Sequence, residues 1–406
     1  MSHAQKPRLA VVSPFLDKSH GTERIIVEWL SNLPDAFEIH VYSQHVEDLD
    51  ASKYTMHRIP KLFGAHIFNF IWWFGANHLW RAWDRRFRGL AHDITFSPGV
   101  NCLDADAISV HIVFAEFLRR VRSELQLSRN RPRTWPRLLH RKLYYGLVTA
   151  LERRVYSGPR AQLILTSRRS ASELERFYGR HEKFPVIDTG LDHELFNPAR
   201  RLMLRGVARQ TLGIEDGAFT LLLIGNDWRK KGLPTLLDAV ARIGDLPIHL
   251  LVVSLEAQDI FRILKDKNIG NNRVSVLPVR KDVEFYYAAA DAYVGPSLED
   301  TFALPVAEAM ACGLPVIVSA SAGVSEIITH GEDGLILDDP RDATGLAMMI
   351  RRLCNDEAFR TRLGENAAAT ARKYTWEQNG LELAAIFEEI LRRKARPTAQ
   401  AITQGP

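Results

Sequence analysis

Short apolar runs rich in Val, Ile and Leu alternate with amphipathic helical stretches along this chain, and midway the alternation starts again. Strands separated by helices cannot pair as tight hairpins. Each must cross over to a parallel neighbour, with helices covering both faces of the sheet. The first set predicts strands at 8–13, 38–43, 93–97, 107–111, 163–166 and 186–189, with a loop to Gly21 and a helix over 22–32 after the first of them. The second set predicts strands at 219–224, 249–253, 274–276, 292–294 and 315–318. Each set has its own opening strand, glycine-bearing loop and amphipathic helix. The fold class is therefore α/β, two doubly wound Rossmann-like domains facing across a cleft, with the boundary near 188–198. A length of 406 residues exceeds one ordinary core and agrees with two domains.

In such sheets, ligands bind beyond the carboxyl ends of the strands. After the strand at 292–294 comes Pro296-Ser297-Leu298-Glu299-Asp300-Thr301-Phe302-Ala303-Leu304-Pro305-Val306-Ala307-Glu308. Pro305 suits a first helical turn, where its missing N–H costs little, and Gly313 suits the position just past the helix end. The amides of residues 301–304 would then lie at a helix N-terminus, a ready anion site. Asp300 and Glu308 lie on either side of it. Carboxylates beside an anion site suit a ligand carrying both phosphates and hydroxyls, such as a nucleotide sugar. A strand–turn–helix with surface acids is the plainer reading.

This block resembles PSxxEGFGLPxxEAMAxGxPV, the paired-acid motif of the retaining glycosyltransferases of family 4 (glycosyl transferases group 1). Asp300 stands for its first Glu, Thr301 and Ala303 for two glycines, and Glu308 through Val316 follow the pattern closely. Asp300 is one methylene shorter than the usual Glu. The resemblance extends to Pro185–Pro198, which is similar to an interdomain P-N-G-V-D linker. It also includes Ala322–Ile328 and Gly331–Leu335. It implies GT-B architecture, with domains at 1–188 (acceptor side) and 189–375 (nucleotide-sugar side), and a helix in 376–406 that crosses back to the first. It implies that Glu308 binds ribose hydroxyls and that Asp300 contacts the donor sugar.

The second domain opens with a strand ending at Gly225, followed by Asn226-Asp227-Trp228-Arg229-Lys230-Lys231-Gly232. Three consecutive cations at a strand's carboxyl end suit a diphosphate, since each charge-assisted hydrogen bond contributes about 1.5–3 kcal/mol. A solvated basic loop is the plainer reading. The family's form is G-R-x-x-x-x-K-G. Lys231 matches its lysine and Asn226 replaces its arginine. The D-[FW]-x-[RK]-K-G version resembles the lipopolysaccharide-core glucosyltransferase branch, which implies that Lys230 supplies the second cation. With the amides of Phe302, Ala303 and Leu304, these lysines are the expected diphosphate site.

In the first domain, Ser19-His20-Gly21-Thr22-Glu23-Arg24 is similar to the family's G-G-x-E-R, and implies that Gly21 admits the phosphate or reacting sugar. A glycine needed only for its backbone angle fits equally. His111 ends the predicted strand at 107–111, where the family places a histidine facing the donor sugar; a structural histidine is the alternative. The expected catalytic residues are His111 and Asp300.

Charge is unevenly shared: residues 1–190 hold 28 Lys and Arg against 19 Asp and Glu, the rest 25 against 29. A basic half suggests an anionic partner. Its extreme lies at 119–160, which reads as a solvated helical face or a partner site. Between Ile67 and Trp83, four of the eight tryptophans (Trp72, Trp73, Trp80, Trp83) accompany Phe68, Phe70 and Phe74, with Arg81, Arg85, Arg86 and Arg88 beside them. Interfacial contact with an anionic membrane explains this, and so does packing inside the first domain. No nucleic-acid recognition motif accompanies the arginines.

Three scattered cysteines, a polar N-terminus leading into a strand and no long apolar run predict a reduced, cytoplasmic protein, peripheral to the membrane at most. The triplets Asp48-Leu49-Asp50 and Asp104-Ala105-Asp106 lie outside the second domain and read as surface acids. No cofactor and no obligatory metal is expected.

The reading is a retaining transferase that moves a hexose-type sugar from a nucleotide diphosphate sugar, UDP favoured, to a saccharide or lipid-linked acceptor in cell-envelope or polysaccharide synthesis. A sugar-nucleotide 2-epimerase of the same architecture and a non-catalytic sugar-binding protein are the alternatives.

Overall fold

The structure, a computed structural model, describes residues 6–18, 21–62, 66–121, 135–267, 270 and 273–396. The chain folds as two units, one running to Asp188 and resuming at Trp376, the other Thr189–Thr375.

In the first unit the strands are β1 (Arg8–Val12), β2 (Phe15–Leu16), β3 (Glu38–Ser43), β4 (His45–Val46), β5 (Tyr54–Arg58), β6 (Ile94–Pro98), β7 (Ala107–Val110) and β8 (Gln162–Leu165). A parallel six-stranded sheet runs β5-β3-β1-β6-β7-β8, and β2 pairs with β4 apart from it. The helices are α1 (Gly21–Ser31), α2 (His66–Phe87), α3 (Phe114–Val121), α4 (Trp135–Tyr156) and α5 (Arg169–Tyr178). Successive strand residues point to opposite faces. Leu9 and Val11 therefore pack with Ile26 and Trp29 of α1, while Ala10 and Val12 join Trp73 of α2, Tyr156 of α4 and Leu174 of α5.

Residues 186–189, expected as a strand, do not form one. Val186 makes a single bridge to Leu165, and Ile187 donates to the Leu165 carbonyl before the backbone leaves the sheet. The edge strand β5, Tyr-Thr-Met-His-Arg, was not expected, because its mostly polar composition hides its pairing.

The second unit holds β9 (Phe219–Ile224), β10 (Ile248–Val253), β11 (Val274–Leu277), β12 (Ala292–Gly295), β13 (Val316–Ser319) and β14 (Leu335–Leu337), parallel in the order β11-β10-β9-β12-β13-β14. Its helices are α6 (Pro198–Thr211), α7 (Leu233–Arg242), α8 (Ala257–Asp266), α9 (Glu284–Ala289), α10 (Leu304–Ala311), α11 (Ala343–Asn355) and α12 (Glu357–Ala371). Both sheets place their opening strand centrally and reverse direction of growth beside it, between β1 and β6 and between β9 and β12. Connecting loops diverge at that point and leave a crevice.

Helix α13 (Trp376–Ala395) belongs to the first unit. Phe387 meets Phe37 and Phe96 edge-on at 5.7 and 5.4 Å, and Lys394 reaches Asp106 at 2.8 Å. A Cβ on Gly380 would stand 2.0 Å from the Asn32 carbonyl oxygen, so only glycine allows α13 this close to the end of α1. Among the described residues, no helix is long and apolar enough to cross a membrane.

Candidate active site

At the reversal point of the second sheet, β9 and β12 lie side by side, and their loops, 225–232 and 296–303, leave from adjacent carboxyl ends. Three features lock the loops together. A Cβ on Gly225 would lie 2.6 Å from Lys231 Cγ, so the missing side chain makes room for the lysine stem. Gly232, at φ +77°, would place a Cβ 1.9 Å from the Pro296 carbonyl oxygen. The Leu298 amide donates to the Lys230 carbonyl at 2.7 Å. Across this junction Lys231 Nζ forms an ion pair with Asp300 Oδ2, and both side chains are largely buried.

Asp300 also accepts the Ala303 N–H at 3.0 Å. This corrects part of the expectation for residues 302–304: the Ala303 amide is engaged within the chain rather than free. Ala303 precedes α10 in the left-handed region, φ +69° and ψ +58°, where a Cβ is strained. Its place in the sequence is one where the resembled motif carries glycine. The loop is fixed from the other side, since Gly323 donates to the Asp300 carbonyl at 3.0 Å and Val324 to that of Phe302 at 2.8 Å. Phe302 is buried and Leu304 half-buried.

Glu308 lies one turn into α10 and is 3% exposed. The Tyr287 hydroxyl, from α9, donates to its Oε2 at 2.6 Å. Sequence reasoning missed Tyr287, and also Tyr293 of β12, whose hydroxyl donates to the Ile224 carbonyl at 3.4 Å at the end of β9. Only the fold brings these together. Lys230 points more outward, 3.7 Å from Asp227, and Arg229 lies over the Trp228 ring.

In the first unit, Gly21 starts α1, while Ser19 and His20 lie outside the described residues. His111 follows β7, with Nε2 at 3.1 Å from Ser109 Oγ and Nδ1 without a hydrogen-bond partner. Burial pushes its pKa down to about 4. The ring is neutral at pH 7 and able to offer one donor and one acceptor.

Asp48 and Asp50 are exposed, as surface acids, whereas Asp104 and Asp106 are half-buried, and all four make contacts within the chain. Asp48 accepts the Lys18 N–H and Asp50 that of Ser52, while half-buried Asp104 is paired with Arg81 and Asp106 accepts the Thr95 N–H. Among the described residues, no group of three or more His, Cys, Asp or Glu side chains is placed to hold a metal ion.

The family model described as "Glycosyl transferases group 1" matches residues 205–370, which span both loops, Lys231, Asp300 and Glu308. Residues 205–370 are a glycosyl transferases group 1 domain. A D-inositol 3-phosphate glycosyltransferase of Pseudarthrobacter chlorophenolicus is 31% identical over 237 residues, covering 56% of this chain and 55% of the relative. The chain thus spans about half the length of the curated relatives it matches. Among solved structures, WaaG, a glycosyltransferase involved in lipopolysaccharide biosynthesis, is similar with a TM-score of 0.74 at 20% identity, over 93% of this chain and 99% of that one. HepE of Anabaena, solved with UDP and glucose, is similar at 0.69 and 17%, over 95% and 100%. These likenesses show the fold, two Rossmann-like halves of GT-B type. The group 1 domain places its reversal-point loops where Lys231, Asp300 and the start of α10 converge.

Proposed function

We propose that this chain is a retaining glycosyltransferase that moves a hexose-type sugar from a UDP-sugar to a saccharide or lipid-linked acceptor of a cell-envelope or polysaccharide glycan. The observation that carries the reading is the meeting of Lys231 and Asp300 at the reversal point of the second sheet, with buried Glu308 on the helix that follows. Lys231 and Lys230 hold the diphosphate together with the remaining amides at the start of α10, including those of Phe302 and Leu304. Glu308 takes the ribose hydroxyls, oriented by Tyr287, and Asp300 turns to the donor sugar. Gly21 leaves room beside the phosphate, and His111 hydrogen-bonds the reacting sugar. The acceptor oxygen bonds to the anomeric carbon on the face the phosphate leaves. The bond from that carbon to the phosphate oxygen breaks, and the departing diphosphate takes the acceptor proton. The relatives' names support transfer of a glycosyl group, and the UDP and glucose of HepE support a nucleotide-sugar donor.

No metal and no cofactor enters this scheme, so chelation by EDTA leaves transfer unchanged. The test is nucleotide release from a panel of UDP- and GDP-sugars. Release that rises with added acceptor supports transfer. Donor interconversion without acceptor would favour the epimerase, and binding without turnover a sugar-binding protein.

We also place the protein at the cytoplasmic face of an anionic membrane. The aromatic run of α2 is divided: Trp73 is buried, whereas Phe68, Ile71, Leu79, Trp83 and Phe87 are exposed at helical spacing beside Arg85, Arg86 and Arg88. Apolar side chains flanked by cations suit the headgroup boundary of such a bilayer.

A further inference from the structure

The first unit holds a cavity of about 290 Å³ at the carboxyl ends of β1, β6 and β7. It is at the small end of ligand pockets and equals on the order of ten waters of liquid volume. That is room for one sugar ring and little more.

Helix α4 supplies one wall through Tyr144, Val148, Glu152 and Tyr156, spaced four apart and therefore on one stripe. Phe70 of α2 meets the Tyr144 ring edge-on at 5.4 Å and extends the apolar wall. Polar groups come from the strand ends and from α1: Ser13, Asn101, Glu23 and His111.

The charge of this lining has one sign. Among the described residues that line the cavity there is no Lys or Arg, although the unit as a whole is basic. His111 is neutral, as its burial requires. Glu152 is committed to the start of α3, accepting the Phe114 and Ala115 N–H groups at 2.9 and 3.2 Å and the Tyr178 hydroxyl at 2.5 Å. Glu23, in the first turn of α1, adds a second carboxylate. A phosphate group brings between one and a half and two negative charges and needs cationic or amide donors. This lining offers it no cationic side chain, and presents the Glu23 carboxylate and aromatic faces instead. Hydroxyls find acceptors here, and the apolar face of a ring finds Phe70 and Tyr144.

We propose that this cavity takes one uncharged, hydroxylated ring of the acceptor, a sugar or polyol without phosphate. The inference rests on the transferase reading and narrows it. It also separates this chain from the phosphorylated acceptor that the names of its curated relatives carry.

The test is ligand-observed NMR on the full chain with UDP present. The probes are methyl glucoside and myo-inositol against glucose 6-phosphate and inositol 3-phosphate. Neutral rings are expected to bind at least tenfold more tightly than their phosphorylated forms. Glu23→Lys, in an accessible first turn, is expected to narrow that ratio severalfold, and Tyr144→Ala to weaken neutral-ring binding. Equal or tighter binding of the phosphorylated rings, no binding of any ring, or binding that neither variant moves would overturn the assignment. Ring binding is read without donor turnover. A chain that binds neutral rings but never releases nucleotide would therefore sink the transferase reading and leave the cavity's specificity standing.

Discussion

Lys231 and Asp300 form an ion pair across the two loops of the second sheet's reversal point, so the cation proposed to hold the diphosphate is engaged by the carboxylate proposed to read the sugar. On the proposed reading, a bound UDP-sugar separates them. It gives Lys231 a phosphate and Asp300 a hydroxyl, and the exchange costs least when both parts of the donor arrive together.

Asp300→Asn therefore releases Lys231. Affinity for UDP alone is expected to stay level or rise severalfold, while turnover of the UDP-sugar falls by about tenfold or more, which is about 1.4 kcal/mol. Calorimetry with UDP and a coupled release assay read the two effects separately. A tenfold loss of UDP affinity would show that Asp300 supports the diphosphate directly.

The left-handed Ala303 stores strain beside the site. Ala303→Gly is expected to raise unfolding free energy by about 0.5–1 kcal/mol, the relief of the Cβ clash less the extra entropy of an unfolded glycine. Ala303→Val should lower it further than any ordinary surface change, because a β-branched residue resists positive φ. Urea unfolding of both variants checks the order.

The Tyr287 hydroxyl orients Glu308 from a fully buried position. Tyr287→Phe is expected to weaken UDP binding about three- to tenfold, with little effect on a 2′,3′-dideoxy analogue, which has no ribose hydroxyls for Glu308 to read. Equal losses for the two nucleotides would mean that the hydroxyl serves packing alone.

Acid should loosen the first unit. Burial pushes His92 down to about 4, aided by the neighbouring His40 and His57, so it is neutral when folded and takes a proton near 6.5 when unfolded. The unfolded state then binds more protons, and the His92 contribution is lost as pH falls from 6.5 toward 4, by at most about 1.4 kcal/mol per pH unit. Glu152 runs the other way: burial raises it to about 7, so its contribution is lost as pH rises from 4.5 through 7. Comparing wild type with His92→Asn by urea unfolding isolates the histidine. The variant's stability should fall less steeply between pH 6.5 and 4, and parallel curves would rule the effect out.

Much of the second unit was legible because its strands are continuous apolar runs and its loops carry residues with one physical use each. Residues 219–224 were read as a strand and form β9 with the same bounds, and Gly225, Gly232 and Pro305 occupy turns that demand them. The first unit hid more. β5 is too polar to be recognised without its partner, and the β-branched Val186 and Ile187 looked like a strand although one bridge is all they make. Tyr287 and Glu308, far apart in sequence, have no local signal that joins them. The Tyr144–Tyr156 stripe did carry one, in its spacing of four, but the density of arginines around it drew attention to charge.

Calorimetric titration of UDP into Lys231→Ala is the decisive measurement for the proposed diphosphate site. Lys231 makes its only described ion pair with Asp300, so the variant leaves the loops' backbone lock between Gly232 and Pro296 intact. UDP is expected to bind this variant at least tenfold more weakly than wild type. Undiminished affinity in a folded Lys231→Ala protein would contradict that assignment.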